Sequence, residues 1–131
     1  MKRRRFLAAP AALAALGAKA ADPQRKWYEA ALAMRRLAES WGDQPYGAVV
    51  VIDGAIAGEG PSRVVKDRDI DAHAERVAIR DAQRRLGRTS LAGGELYSTS
   101  RPCSACEAAA ARAGVSRMYY GERMADAGAP R

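Results

Sequence analysis

The chain has 131 residues, of which 48% are hydrophobic, so we expect one domain with a modest core. Its net charge of +7 is unevenly placed, because five positive charges lie in the first 20 residues, which contain no acid, and the rest of the chain carries only +2. The whole chain is basic, but the small excess of positive charge after residue 20 argues against a nucleic-acid partner for that part of the chain.

Residues 1–20 have the pattern of a cleaved export signal. Lys2–Arg5 form a charged segment, Phe6–Gly17 form a short apolar segment, and Ala18-Lys19-Ala20 forms a cleavage site of the A-x-A type. The apolar segment is shorter than the roughly 20 residues that a membrane span needs. Arg3–Leu7 resembles the twin-arginine pattern, and an ordinary secretory signal is the alternative. The sequence therefore predicts an exported, periplasmic protein whose residues 21–131 form one domain.

The first predicted elements are a helix and a strand hairpin. Asp22-Pro23 favours a helix start, and apolar residues recur at helical spacing as far as Trp41. Ala48–Ile52 is a continuous apolar run, which is typical of a central strand. Asp53-Gly54 is a strong signal for a two-residue hairpin turn into a second strand, Ala55–Gly58.

The remaining predicted elements alternate between helix and strand. In chain order they are a helix over Ala72–Leu86, a strand over Glu95–Thr99, a helix over Cys103–Ala113 and a strand over Arg117–Tyr120. This order predicts an α/β sandwich with a mixed sheet, and the last two strands should be parallel because each follows a crossover helix. The tail after Tyr120 is polar and rich in small residues, so we expect it to add little core.

Two short segments contain the residue types of a metal site. His73 is the only histidine, and Cys103 and Cys106 are the only cysteines. One imidazole and two thiolates supply three of the four ligands of tetrahedral zinc, and an open fourth position is typical of a catalytic zinc. Both segments should open helices, whose positive ends lower a thiol pKa. Glu75 follows His73 by two residues and can move protons without binding the metal.

Each half of this pattern has another interpretation when it stands alone. A C-x-x-C pair in an exported chain is often a redox dithiol or a disulfide. Here no aromatic residue precedes Cys103, and the chain has no second histidine or third cysteine to complete a structural zinc site. An exported thiol-redox protein or a zinc-binding protein without catalysis is the alternative of another class.

Together, His73-Ala74-Glu75 and Pro102–Cys106 resemble the H-x-E…P-C-x-x-C pattern of the zinc-dependent cytidine deaminase superfamily (CMP/dCMP deaminase type). The chain is most similar to the guanine deaminase and tRNA adenosine deaminase branch, and the resemblance includes Gln44–Val49 and Glu95–Tyr97. It covers most of the chain after residue 26. It implies a three-layer α/β/α cytidine deaminase-like sandwich with a reduced C-terminal part, a bound Zn²⁺ and a homodimer.

The resemblance also implies a reaction, the zinc-dependent hydrolytic deamination of a free nucleobase or nucleoside. A purine such as guanine is favoured, and cytosine or cytidine is the alternative. His73, Cys103 and Cys106 would bind the zinc, which activates water for attack on an amino-bearing ring carbon, and Glu75 would transfer protons. Tyr46 would line or stack on the base, and the backbone amides of Ala74 and Cys103 would contact the substrate.

Two positions differ from the pattern of this branch. Ser62 stands where relatives usually have an asparagine that reads the base edge, and Arg101 stands where they often have a glutamate. A serine offers one hydroxyl in place of the donor and acceptor of an amide. Ser62 is therefore a predicted substrate contact whose change should alter substrate choice and leave the zinc chemistry intact.

Overall fold

A computed structural model describes residues 22–131 as a five-stranded sheet with helices on both faces. In chain order the elements are α1 (Arg25–Ser40), β1 (Gly47–Ile52), β2 (Ala55–Pro61), α2 (Ala74–Leu86), β3 (Glu95–Ser98), α3 (Ser104–Ala113), β4 (Arg117–Tyr120) and β5 (Ala125–Gly128). The predicted export signal lies outside the described residues. Within residues 22–131, no helix combines the length and apolar character that crossing a membrane requires.

The strands lie in the order β2-β1-β3-β4-β5. The strand β1 is antiparallel to both β2 and β3, β3 is parallel to β4, and β5 is antiparallel to β4. The predicted mixed sheet and the parallel pair β3–β4 are thus confirmed. The hairpin is confirmed as well, since Asp53 and Gly54 both have positive φ, 53° and 73°, as its turn type requires.

Alternate residues of the central strands supply two cores, one on each face of the sheet. Val49, Val51 and Tyr97 pack under α1, where Trp27, Ala30 and Met34 cover them. The opposite core lies under α2 and α3 and includes Val50, Leu96, Met118, Ala78 and Ala110. This arrangement is the predicted three-layer α/β/α sandwich.

The helix α2 lies directly on β2 because two glycines allow the backbones to approach. A Cβ atom at Gly60 would collide with the carbonyl oxygen of Ala74 and the amide of Ala78, and one at Gly58 would collide with the backbones of Ala78 and Ala82. The start of α2, which carries His73 and Glu75, is therefore positioned by direct backbone contact with the sheet.

Several element boundaries differ from the prediction. The helices α2 and α3 begin at Ala74 and Ser104, because His73 and Cys103 have extended backbones and are the N-cap residues. Leu86, the last residue of α2, is 41% exposed. The tail does form a fifth strand, β5, which is short and largely exposed at the sheet edge.

Candidate active site

The metal-ligand residues meet where the N-termini of α2 and α3 converge beside the end of β3. His73 and Cys103 cap these helices, with ψ angles of 152° and 167°, so each side chain lies at its helix end. Cys106 lies in the first turn of α3 and is buried. The backbone amide of Cys106 donates a hydrogen bond to the Cys103 sulfur at 3.4 Å.

The three side chains have the spacing of zinc ligands. His73 Nδ1 lies 3.3 Å from Cys106 Sγ and 3.7 Å from Cys103 Sγ, and all three ligand atoms lie within 4.8 Å of one another. Tetrahedral zinc bonds place a nitrogen and a sulfur ligand about 3.6 Å apart. The structure therefore brings the predicted ligands together at distances that fit a zinc ion.

The surroundings of Cys106 disfavour the charged form of its thiol when no metal is bound. Burial raises the pKa of the Cys106 thiol, and the nearby Glu75 carboxylate and the hydrogen bond with Cys103 raise it further. The lowered thiol pKa predicted from the helix end is therefore wrong for Cys106 in the protein alone. A bound metal ion reverses this effect, because a coordinating thiol is deprotonated by the charge of the ion.

Glu75 lies in the first turn of α2, is only 5% exposed and lines the same cavity as His73. The Ser98 hydroxyl, at the end of β3, donates to Glu75 Oε2 at 2.9 Å. This bond fixes one carboxylate oxygen and therefore the direction of the side chain. The sequence analysis missed Ser98, whose only signal is its position as the last residue of a strand next to the predicted site.

A cavity of about 630 Å³ opens above these groups. Its lining residues are Gln44, Pro45, Tyr46, His73, Ala74, Glu75, Ser100, Arg101 and Cys103. Tyr46 and Ala74, both predicted substrate contacts, are thus placed at the cavity, and Tyr46 is 41% exposed. The volume is in the range of small-molecule sites.

Ser62 has a different environment. It is fully buried, it is not a lining residue of this cavity, and its hydroxyl donates to Asp43 Oδ1 at 3.0 Å. Its backbone amide donates to the carbonyl of Tyr46 at 3.1 Å. Ser62 therefore supports the cavity wall from behind, and its predicted contact with substrate stays a prediction.

Asp43 joins this wall to the loop that leads to His73. Its carboxylate accepts hydrogen bonds from the Ser62 hydroxyl and from the backbone amides of Gln44, Val65 and Lys66. Burial acts to raise the pKa of Asp43, but these hydrogen bonds outweigh it and hold the pKa below its usual value. The sequence analysis did not identify Asp43.

Comparison with known families identifies this arrangement. The family model for the cytidine and deoxycytidylate deaminase zinc-binding region matches residues 21–122, which include the three ligand residues and Glu75. The chain belongs to this deaminase family. The family resemblance drawn from the sequence is confirmed, and zinc is the metal that the family binds and that the His73–Cys103–Cys106 cluster fits.

Two relatives within the deaminase family have names that point to different substrates. The chain is 40% identical over 101 residues to a tRNA-specific adenosine deaminase of Agrobacterium fabrum, covering 77% of this chain and 66% of the relative. It is 41% identical over 83 residues to a guanine deaminase of Bacillus subtilis, covering 63% of this chain and 53% of the relative. This deaminase chain thus spans about half to two thirds of the length of these relatives.

Solved structures of the deaminase family have the same fold. A structure from a study of A-to-I editing by tRNA:A34 deaminases gives a TM-score of 0.71 at 40% identity, covering 73% of this chain and 70% of the other. The crystal structure of the Bacillus subtilis guanine deaminase gives 0.70 at 35% identity, covering 73% and 62%. The cytidine deaminase-like sandwich is therefore confirmed.

Proposed function

We propose that the protein is a zinc-dependent hydrolytic deaminase of a free nucleobase or nucleoside, with a purine such as guanine preferred. The observation that carries this proposal is that Glu75, His73 and Cys103 line one cavity, and that the buried Cys106 completes the ligand cluster beside it. The reaction replaces the amino group on a ring carbon by oxygen. One water is consumed and one ammonia is released.

The residues divide the work as follows. His73, Cys103 and Cys106 would bind zinc, which supplies Lewis-acid activation of water near neutral pH. Glu75 accepts a proton from the attacking water and delivers it to the ring nitrogen, and it then assists the departure of ammonia as the C–N bond breaks. Ser98 holds Glu75 Oε2 and so keeps the carboxylate directed at the cavity.

The size and wall of the cavity support a small substrate. A volume of about 630 Å³ is sufficient for a purine or a nucleoside. The Tyr46 ring is exposed at the cavity and can stack on a base, since aromatic rings prefer offset-stacked partners. The likeness to a guanine deaminase supports a purine, and the small charge of residues 21–131 favours a small molecule over a polyanion.

A tRNA adenosine is the second candidate substrate. It is favoured by 40% identity with a tRNA-specific adenosine deaminase, and this likeness weakens the argument from charge against a nucleic acid. The family description, which names cytidine and deoxycytidylate, keeps cytosine or cytidine as a further alternative. The thiol-redox alternative requires Cys103 and Cys106 to cycle as a dithiol, which would remove both from a metal.

An ammonia-release screen with the zinc-loaded chain tests the proposal. The panel contains guanine, guanosine, adenosine, cytosine, cytidine and a tRNA anticodon stem-loop, and the matched control is a zinc-loaded Glu75→Gln protein. We expect release from a small purine and none from the control. Release from the stem-loop alone would select the second candidate, and no release from any substrate would reject a deaminase function.

The proposed location is the periplasm, reached through residues 1–20 as a twin-arginine signal. Such export carries folded proteins, so that zinc can load before Cys103 and Cys106 meet oxidants. Replacing Arg3 and Arg4 with lysine keeps the charge and should leave the precursor in the cytoplasm, as judged by cell fractionation. Normal processing of that variant would select a general secretory route.

The proposed homodimer is tested by measuring the mass of the protein in solution.

A further inference from the structure

Arg101 is a charged residue of the cavity that the proposed chemistry does not use. It lies between the end of β3 and the N-cap of α3, and it lines the same cavity as His73 and Glu75. It also lines an adjoining hollow of about 220 Å³ together with Pro102, Glu107, Met118, Ala127 and Arg131. Arg101 thus stands where the two hollows meet.

We propose that Arg101 binds a phosphate group attached to the substrate, so that the cavity takes the 5′-monophosphate of a nucleoside more tightly than the nucleoside itself. This inference rests on the proposed deaminase function and extends its substrates from nucleosides to their monophosphates. The base would lie toward Glu75, and the phosphate would lie toward the adjoining hollow.

The guanidinium is held in place by one neighbour. Its Nη1 donates to the Tyr120 hydroxyl at 2.9 Å, and its central carbon lies 5.4 Å from the centre of the Tyr120 ring. Tyr120 is the last residue of β4, so a rigid element orients the side chain. An arginine has five N–H donors, and this single bond leaves most of them available to a ligand.

The charge of Arg101 has no local partner. Within residues 22–131, Arg101 makes no ion pair, whereas Arg63, Arg76 and Arg85 each pair with an aspartate or glutamate. Glu107, the acid that lines the adjoining hollow, accepts a hydrogen bond from the backbone amide of Arg131 at 3.2 Å. A guanidinium at a substrate cavity without a paired carboxylate favours an anionic ligand.

Phosphate fits this group better than other parts of a nucleoside do. The planar fork of a guanidinium matches two phosphate oxygens, and the group stays charged at any physiological pH. The side chain is exposed, so it can bind a partly hydrated phosphate without a large desolvation cost. A merely structural Arg101 would contribute only its contact with Tyr120 and would not distinguish phosphorylated from unphosphorylated substrates.

The test compares phosphorylated and unphosphorylated substrates in the zinc-loaded full chain. Each active nucleoside is paired with its 5′-monophosphate, and a short oligonucleotide containing the same base tests a phosphodiester. The variants are Arg101→Gln, Arg101→Lys and Arg112→Gln, the last being a matched loss of charge on an exposed arginine at the far end of α3. Thermal unfolding verifies that each variant folds.

We expect the KM of the wild type to be about tenfold lower for the monophosphate than for the nucleoside, as one charge-assisted hydrogen bond would give. Arg101→Gln should abolish this ratio, Arg101→Lys should restore part of it, and Arg112→Gln should retain it. A preference for the oligonucleotide alone that Arg101→Gln abolishes would also support phosphate binding and would assign the phosphate to a polynucleotide.

Equal KM values for nucleoside, monophosphate and oligonucleotide in the wild type would overturn the inference while leaving the deaminase function intact. An unchanged ratio in Arg101→Gln would overturn it too. If only a free base releases ammonia, or if no substrate does and the proposed function fails, calorimetric titration of the same proteins with nucleoside and monophosphate decides the role of Arg101. Tighter binding of the monophosphate that Arg101→Gln abolishes would support it, and equal binding would overturn it.

Discussion

The floor and the rim of the cavity are built in different ways. The floor contains His73, Cys103 and Glu75, which lie at the N-termini of two helices packed on the sheet. The rim contains Tyr46 and Arg101, which lie in exposed connections. Groups that must keep a fixed geometry are thus carried by rigid elements, and the proposed substrate contacts lie where sequence change costs little stability.

The two regions are also stabilised by different interactions. The floor depends on close backbone packing, since Gly58 and Gly60 let α2 lie directly on β2. The wall behind the rim depends on hydrogen bonds, since Asp43 joins Gln44 to the 62–66 segment. Substitutions in the floor should therefore affect zinc binding and turnover, and substitutions behind the rim should affect stability and substrate binding.

Replacing Glu75 with glutamine should have the largest effect on activity. The amide is nearly isosteric but cannot transfer protons, and the loss should exceed the roughly 10²–10⁴-fold typical of one acid–base group because Glu75 acts in more than one step. Ammonia release and zinc content are measured together, with Glu39→Gln on the exposed side of α1 as the control. Near-normal turnover in zinc-loaded Glu75→Gln would remove Glu75 from the mechanism.

Replacing Cys106 with alanine should remove zinc and stability together, because metal binding is coupled to folding. The melting temperature of the wild type should rise with zinc, and that of Cys106→Ala should not respond. Cys103→Ala should behave in the same way. A variant that keeps stoichiometric zinc and activity would show that the replaced cysteine is not a ligand.

Replacing Gly60 with alanine tests the packing that positions the floor. The added methyl group would meet the backbones of Ala74 and Ala78, which should cost about 1–3 kcal/mol and displace the start of α2. We expect weaker zinc binding and lower turnover. The control is Gly54→Ala in the hairpin turn, where φ is +73° and nothing lies near the added atom, so stability falls but zinc affinity is retained. Equal zinc affinities in both variants would contradict this account.

Replacing Asp43 with asparagine should have the smallest effect and should act behind the rim. The asparagine NH₂ group would face a hydrogen-bond donor that now bonds to an Asp43 oxygen, so that bond would be lost. The loss should cost about 1–3 kcal/mol of stability near neutral pH. Zinc content should not change. Urea unfolding of the two proteins measures the cost.

The pH dependence of that cost has a definite sign. The pKa of Asp43 is lowered in the folded state, so its stabilisation is complete above the ordinary aspartate value of 3.8 and is lost as the pH falls through the folded pKa. The difference in unfolding free energy between wild type and Asp43→Asn should therefore shrink below about pH 4. A difference that stays constant with pH would show that the Asp43 charge is not what the amides bind.

The sequence predicted those parts of the fold that have a periodic or unique signal. The apolar run of β1, the turn at Asp53-Gly54 and the strand Arg117–Tyr120 were all found. The strand β5 was not expected, because it pairs through its backbone at an exposed edge and has no apolar alternation. The helix starts were placed too early, since His73 and Cys103 cap the helices rather than join them.

The residues in the floor of the candidate site could be predicted from the sequence, and the residues that hold them in place through hydrogen bonds could not. His73, Cys103 and Cys106 are unique residue types in a specific spacing, so their meeting could be predicted. Asp43 and Ser98 act across 19 and 23 residues of chain through single hydrogen bonds, and neither bond leaves a pattern in the sequence. The direction of the Ser62 hydroxyl depends on Asp43, so a resemblance in sequence could not reveal it.

The most direct test of the central claim, that this chain carries a deaminase zinc site, is metal analysis of the purified protein alongside ammonia release. The account predicts one zinc per chain, two free thiols, and ammonia release that is lost on chelation and restored by added zinc. A zinc-free chain with Cys103 and Cys106 joined in a reversible disulfide, and no ammonia release after zinc is supplied to the reduced protein, would contradict it.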